Sequence, residues 1–301
     1  MRRSKTAATP DGPAKVIDRE WIVKKVLFVL AMMTVLGILL IVGMVTKESI
    51  PALTKAGPFN LFSSRWDPST GHYGMLIFLV GTLLTTVGGL ILGVPLAIGT
   101  AIFVTQMAPP RAAGFVSRGI EVLAGIPSIV IGWLGFTVLV PVLVKLTSST
   151  GNGILAASII LAIMIMPTIT AIASDALESV PVEYKQGSFG LGATRWQTIW
   201  HVMLPAARPG LIVAVILGMG RAIGETMAVA LVIGPATAWP KSLWTPTHTL
   251  TTKILMEIQE STGTTRSALF TMALVLLLFS MMMIMLVRAF TKKKEYSRGA
   301  A

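Results

Sequence analysis

The chain has 301 residues, 53% of them hydrophobic and 13% charged, against roughly 25% charged in soluble domains. That balance excludes an ordinary soluble protein and predicts an all-α, polytopic membrane protein. The net charge of +12 would suggest nucleic acid for a soluble protein. Here the positive residues gather at the chain ends and between apolar runs, so we assign them to membrane orientation and expect no nucleic-acid partner. Cysteine is absent, which removes disulfides, thiolate-ligated zinc and thiol catalysis. The three scattered histidines predict no metal site.

In chain order, residues 1–25 form a polar tail, and a charge-free run at 26–46 is the first span. It is too long for a signal-peptide core and lacks a small-x-small site close behind, so it is read as uncleaved. An outer loop is expected at 47–73, then a core over 74–290 and a basic tail at 291–301. Within the core, the second span lies in 74–110, where the Gly93–Pro95 stretch is a candidate bend. The third is expected at 122–144, the fourth in 146–174, the fifth from about 211 to 234, and the sixth at 267–287. Pro127, Pro141 and Pro167 are candidate kinks.

Six spans place both termini on one side of the membrane. The tails and the loops sharing their side hold most of the lysines and arginines, Lys24, Lys25, Arg111 and Lys185 among them. The bias predicts cytoplasmic termini. Two long outer loops remain, at 47–74 and 235–266. Their tryptophans, Trp66, Trp239 and Trp244, suit either interfacial anchoring or a docking face for an external partner.

The cytoplasmic segment 175–210 is too long for a bare connection. Phe189, Trp196, Ile199, Trp200 and Met203 recur at mostly helical steps, and Leu204-Pro205 is expected to end the helix. Small residues cluster at Gly187, Ser188, Gly190, Gly192 and Ala193, letting another surface approach the backbone. An amphipathic helix on the membrane surface is one reading. A docking site for a partner protein is the better one, since glycine-rich helices need packing to offset about 1 kcal/mol per glycine.

The stretch "GMGRAIGETMAVALVIG" at 218–234 places Arg221 and Glu225 inside the fifth span. On a helix they would lie one turn apart on the same face. Charges at mid-membrane must be paired or reach water. The pair either neutralises itself and locks helix packing, or lines an anion path, for which a guanidinium fork matches a tetrahedral oxyanion. Gly218, Gly220 and Gly224 permit close helix approach in both readings. A carboxylate at Glu225 can accept a hydrogen bond from a protonated phosphate, which sulfate has no proton to give, and so disfavour sulfate.

The cytoplasmic segment resembles the EAA loop of ABC importer permeases. Gln186, Gly187 and Ser188 occupy its Glu-Ala-Ala slot, Gly192 its glycine, and Leu204-Pro205 its aliphatic-proline ending. The stretches "IEVLAGIPSIVIGWLGFTVLVP", "GNGILAASIILAIMIMPTITA", "LGATRWQTIWHVMLPAARPG" and "GMGRAIGETMAV" resemble the phosphate-uptake permeases of the Pst system. "WDPSTGHYG" and the large first outer loop are closer to the PstC-type than to the PstA-type subunit. The resemblance covers about 66–287. It implies a type I importer permease fold and a coupling loop made by Gln186, Gly187, Ser188, Gly192, Ala193, Leu204 and Pro205 that docks on an ATPase. It also implies that Arg221 and Glu225 serve phosphate passage. The implied partners are a PstA-type permease, two PstB-type ATPases and a PstS-type external phosphate-binding protein. The chain has no GxxxxGK[ST] loop, so any ATP is expected on another chain, with no cofactor here. A permease for sulfate or molybdate, a channel or secondary transporter without ATPase, and a membrane sensor remain as alternatives.

Overall fold

The computed structural model describes residues 16–147 and 149–296. The readings made for residues 1–15 and for the end of the basic tail lie outside this range. Six helices among the described residues are long and apolar enough to cross a membrane. The chain divides into two compact units, Met1–Lys47 and Glu48–Ala301.

Helix α1 (Val16–Ala56) forms the described part of the first unit. There its apolar side chains are exposed, Phe28 and Leu40 among the most open. A helix apolar on all sides suits hydrocarbon. Thr34 and Thr46 donate their hydroxyls to the carbonyls of Leu30 and Val42, at 3.0 and 2.7 Å, so neither is left unpaired in lipid. The helix runs past residue 47, so the loop expected at 47–73 begins as helix.

In the second unit the end of α1 and a helical turn at Pro58–Leu61 lead to a hairpin, β1 (Trp66–Asp67) and β2 (His72–Tyr73), with Trp66 opposite Tyr73. Gly71 takes a φ of 77° in its turn, a conformation cheap only for glycine. Then follow α2 (Leu76–Met107), α3 (Pro110–Gly125), α4 (Ser128–Thr147), α5 (Ile154–Glu178), α6 (Val182–Gly190), α7 (Arg195–Gly224), α8 (Met227–Val232), α9 (Leu250–Glu257) and α10 (Gly263–Tyr296). Wide π turns lie at Phe103–Met107, Gly135–Leu139 and Ile199–Met203.

The expected third span, 122–144, is interrupted. Ile126 is extended, with ψ 126°, because the ring of Pro127 disfavours the helical region for the residue before it. The crossing helix therefore starts at Ser128. Pro95 and Pro167, by contrast, stay inside α2 and α5.

Helix α5 is the centre, with Ile160, Leu161, Ile165 and Ile169 at most 3% exposed. Small residues bring its neighbours in. A Cβ added to Gly89 or Gly93 of α2 would stand 2.8 Å from Leu161 or Ile165, and one on Gly218 of α7 would stand 2.5 Å from Ile169. Hydrocarbon supplies no hydrophobic drive between helices, so close packing and interhelical hydrogen bonds hold them. Thr170 donates to the Ala97 carbonyl at 3.2 Å, and Ser158 to that of Thr85 at 3.4 Å.

A second cluster lies around the hairpin. Trp66 is buried, packed edge-on to Tyr73 and Phe78, and so is neither an interfacial anchor nor a docking residue. Trp239 and Trp244 are exposed. Lys253 is 5% exposed and pairs with Glu257. Its ammonium lies 5.5 Å from the Trp66 ring and 5.3 Å from that of Phe78, which compensates a buried cation. Burial first, then the Lys253 charge, lowers His248 to about 4.

Gly218→Val should force α7 off α5 and lower stability by about 1–3 kcal/mol. Gly220→Ala, whose methyl would meet nothing within 4 Å, should leave stability unchanged or raised; thermal unfolding in detergent compares them. His248 is held neutral, so the stability it contributes is present above its unfolded value of 6.5 and is lost as pH falls from there toward 4. His248→Gln should flatten the melting temperature across that window; an unaltered slope would assign it to other groups.

Candidate functional site

Helix α7 does not carry Glu225. It ends at Gly224, where Glu225 turns extended (φ −69°, ψ 124°), and α8 restarts at Met227. The continuous fifth span expected to residue 234 is therefore a broken one. Arg221 and Glu225 do not share one helical face, and they form no ion pair. The ion pairs Arg65–Asp67 and Lys253–Glu257 lie elsewhere in the chain.

A break in a span is tolerated only where side chains satisfy the freed backbone groups. Here three do so. The Glu225 carboxylate accepts the Ala228 N–H at 3.3 Å, and Thr226 donates its hydroxyl to the Gly224 carbonyl at 3.1 Å. Thr251, from the start of α9, donates to the Glu225 carbonyl at 3.2 Å.

Arg221 lies in the last turn of α7, where the negative end of the helix dipole favours a cation. It is exposed, and so are Val213, Leu217, Gly224 and Met227 nearby. Built Cβ atoms on Gly220 and Gly224 meet nothing within 4 Å, whereas Gly218 is packed on Ile169. Of the three glycines, one serves packing inside this chain and two open the surface beside the arginine. An unpaired guanidinium in a span is too costly for lipid. This face therefore meets water or another protein, and its donors are free for an oxyanion.

The second candidate region is the cytoplasmic segment. Helix α6 is followed by Gly192 at φ 82°, a left-handed turn. Thr194 then caps α7 through a reciprocal pair with Gln197, at 3.3 and 2.8 Å. Ser188 and Thr198 close the turn with a 2.9 Å hydroxyl contact. Gln186, Gly187 and Gly192 are exposed, Ser188 and Ala193 half-buried. Nothing lies within 4 Å of a Cβ built on Gly187, Gly190 or Gly192, so the small residues present open backbone. Leu191 is 90% exposed.

The opposite side of this segment faces the end of α2. Lys185 donates to Gln106 at 3.0 Å beside a cavity of about 420 Å³. Leu204-Pro205 does not end the helix. The π turn Ile199–Met203 just before it accommodates the missing proline N–H. Half-buried Leu204 and exposed Pro205 continue into the membrane helix. Ile199 and Met203 are buried, while Trp196 and Trp200 stand exposed, edge to face at 5.7 Å.

The set formed by buried Trp66, His248 and Lys253 with half-buried Glu257 was not legible as a unit in the sequence. Its one signal was the four-residue spacing of Lys253 and Glu257 behind the Thr249–Thr252 capping box.

Comparison with known proteins agrees with this architecture. Residues 89–296 match the family described as "Binding-protein-dependent transport system inner membrane component". The chain is 43% identical over 78% of its length, and 78% of the relative's, to the "Probable ABC transporter permease protein YqgH" of Bacillus subtilis. It is 34% identical over 91% of each chain to the "Phosphate transport system permease protein PstC" of Haemophilus influenzae. In fold it is similar to a chain of a bacterial alginate ABC transporter crystallised with its alginate-bound periplasmic protein, with TM-score 0.66, 14% identity, and 93% and 96% of the two chains covered. A mostly helical, multi-pass chain with a broken fifth span, it belongs to the family of inner membrane components of binding-protein-dependent transport systems.

Proposed function

We propose that the chain is a permease subunit of an ATP-driven phosphate importer of the Pst type, forming with a second, PstA-type permease the path for inorganic phosphate across the bacterial cytoplasmic membrane. The observation that carries this reading is the exposed, unpaired Arg221 on an otherwise apolar face of a membrane helix. The phosphate named in its PstC relatives matches the chemistry of that group. Arg221 attracts the oxyanion. Glu225, its carboxylate engaged by the Ala228 N–H, moderates the positive field so that the anion is passed on rather than trapped, and favours a proton-bearing anion over sulfate.

ATP hydrolysis belongs to two PstB-type ATPase subunits, since this chain has no GxxxxGK[ST] loop; it binds no cofactor itself. The open backbone at Gly187, Gly190 and Gly192 is the surface they grip. Ser188, Ala193 and Gln186 flank it, and Leu204-Pro205 carry movement into α7. A PstS-type protein delivers phosphate from outside. Both termini lie in the cytoplasm by the positive-charge bias.

In the reconstituted complex with binding protein and ATP, Arg221→Gln should lower phosphate uptake about 10- to 100-fold, the weight of a lost charged hydrogen bond. Assembly and ATP hydrolysis should persist; normal uptake would make Arg221 a packing residue. Gly187→Leu should reduce ATPase co-purification by about tenfold through steric exclusion, without lowering the permease's own melting temperature. Undiminished co-purification would move the docking surface elsewhere.

A further inference from the structure

Helix α9 connects the outer hairpin to the break beside Arg221. At its start, the Leu250 N–H donates to the Thr82 hydroxyl of α2 at 3.0 Å, and Thr251 donates to the Glu225 carbonyl at 3.2 Å. At its end, Glu257 accepts the Trp66 indole N–H at 3.2 Å and pairs with Lys253. Lys253 also reaches the Thr237 hydroxyl at 3.4 Å. With 8 residues, the helix is about 12 Å long, a rigid strut at this size.

The two ends differ in strength. Parting Glu257 from buried Lys253 would strand a desolvated charge, which costs several times what one neutral hydrogen bond does. The hairpin end is therefore the firm one, and α9 moves with Trp66. The other end is held by neutral hydrogen bonds, the Leu250 N–H on Thr82 of α2 and, as its one link to the break, the Thr251 hydroxyl on the Glu225 carbonyl. A shift of the hairpin is thus delivered to Glu225.

We propose that Trp66, Lys253 and Glu257 are positioning residues for the anion path: through α9 they hold Thr251 on the Glu225 carbonyl and so set where the α7–α8 break stands. This rests on the reading of Arg221 and Glu225 as path residues. Pro68, Ser69 and Thr70 at the hairpin turn lie outside the buried cluster, so contacts made there by an external protein would reach the break without touching it.

The test is phosphate moved per ATP hydrolysed by the reconstituted complex, a ratio that simple loss of folded complex leaves unchanged. Thr251→Val should lower it about fivefold, the weight of one net hydrogen bond, and Thr251→Ser should restore it. Trp66→Phe, which keeps the ring and loses the N–H, should lower it in the same direction. The double variant should be no worse than the poorer single variant to within about twofold, because both cut one strut. A normal ratio in Thr251→Val, a serine variant no better than valine, or a double variant at the product of the singles would overturn the proposal. Arg221→Gln in the same preparation separates the two failures. If it transports normally, the path reading is wrong; if it does not while Thr251→Val does, the strut alone is wrong.

Discussion

Hydrocarbon offers no partner to a free N–H or carbonyl, and that constraint bears hardest on the second unit where the fifth span stops at Gly224 and restarts at Met227. At Gly224–Thr226 the helical ladder is interrupted, and the groups it frees are met by Glu225, Thr226 and Thr251. Remove that satisfaction and the break becomes more costly than a continued helix. The threonine-rich segment 247–253, the capping box at Thr249 and the seat of α9 on Thr82 together supply the one contact to the break that comes from outside α7 and α8 in this set.

Two cations of the second unit, Lys253 and Arg221, illustrate opposite solutions to the penalty of leaving water. Lys253 is buried and compensated by Glu257, two rings and a hydroxyl. Arg221 has none of these and stands on the surface. A compensated cation holds structure, because its attraction is already spent on the protein. An uncompensated one keeps its donors for something else, which is why the functional reading falls on Arg221 and the mechanical one on Lys253.

Packing around α5 explains how such a break can be held without disorder. The glycines of α2 and α7 bring backbones so close to α5 that side chains on it fill the space a Cβ would take. The frame is consequently stiff on its inner side.

Much of the architecture was legible from the residues themselves. Long charge-free runs and charged tails determine a multi-span chain, because the bilayer imposes length and polarity on sequence directly. The small-residue cluster at 187–193 announced an open loop, and Arg221 announced itself by being a charge where none is tolerated alone. What only the tertiary structure decided depends on contacts between residues distant in the chain. Helical spacing put Arg221 and Glu225 on one face, yet Thr251, 26 residues further on, stabilises the extended Glu225 carbonyl and separates them. Leu204-Pro205 looked like a helix end until a π turn absorbed the proline. Trp66 suited either anchoring or docking until Tyr73, Phe78 and Glu257, the last 191 residues away, closed around it. Local patterns report on the solvent a segment must face; they carry no record of which remote hydroxyl or carboxylate will be there to satisfy it.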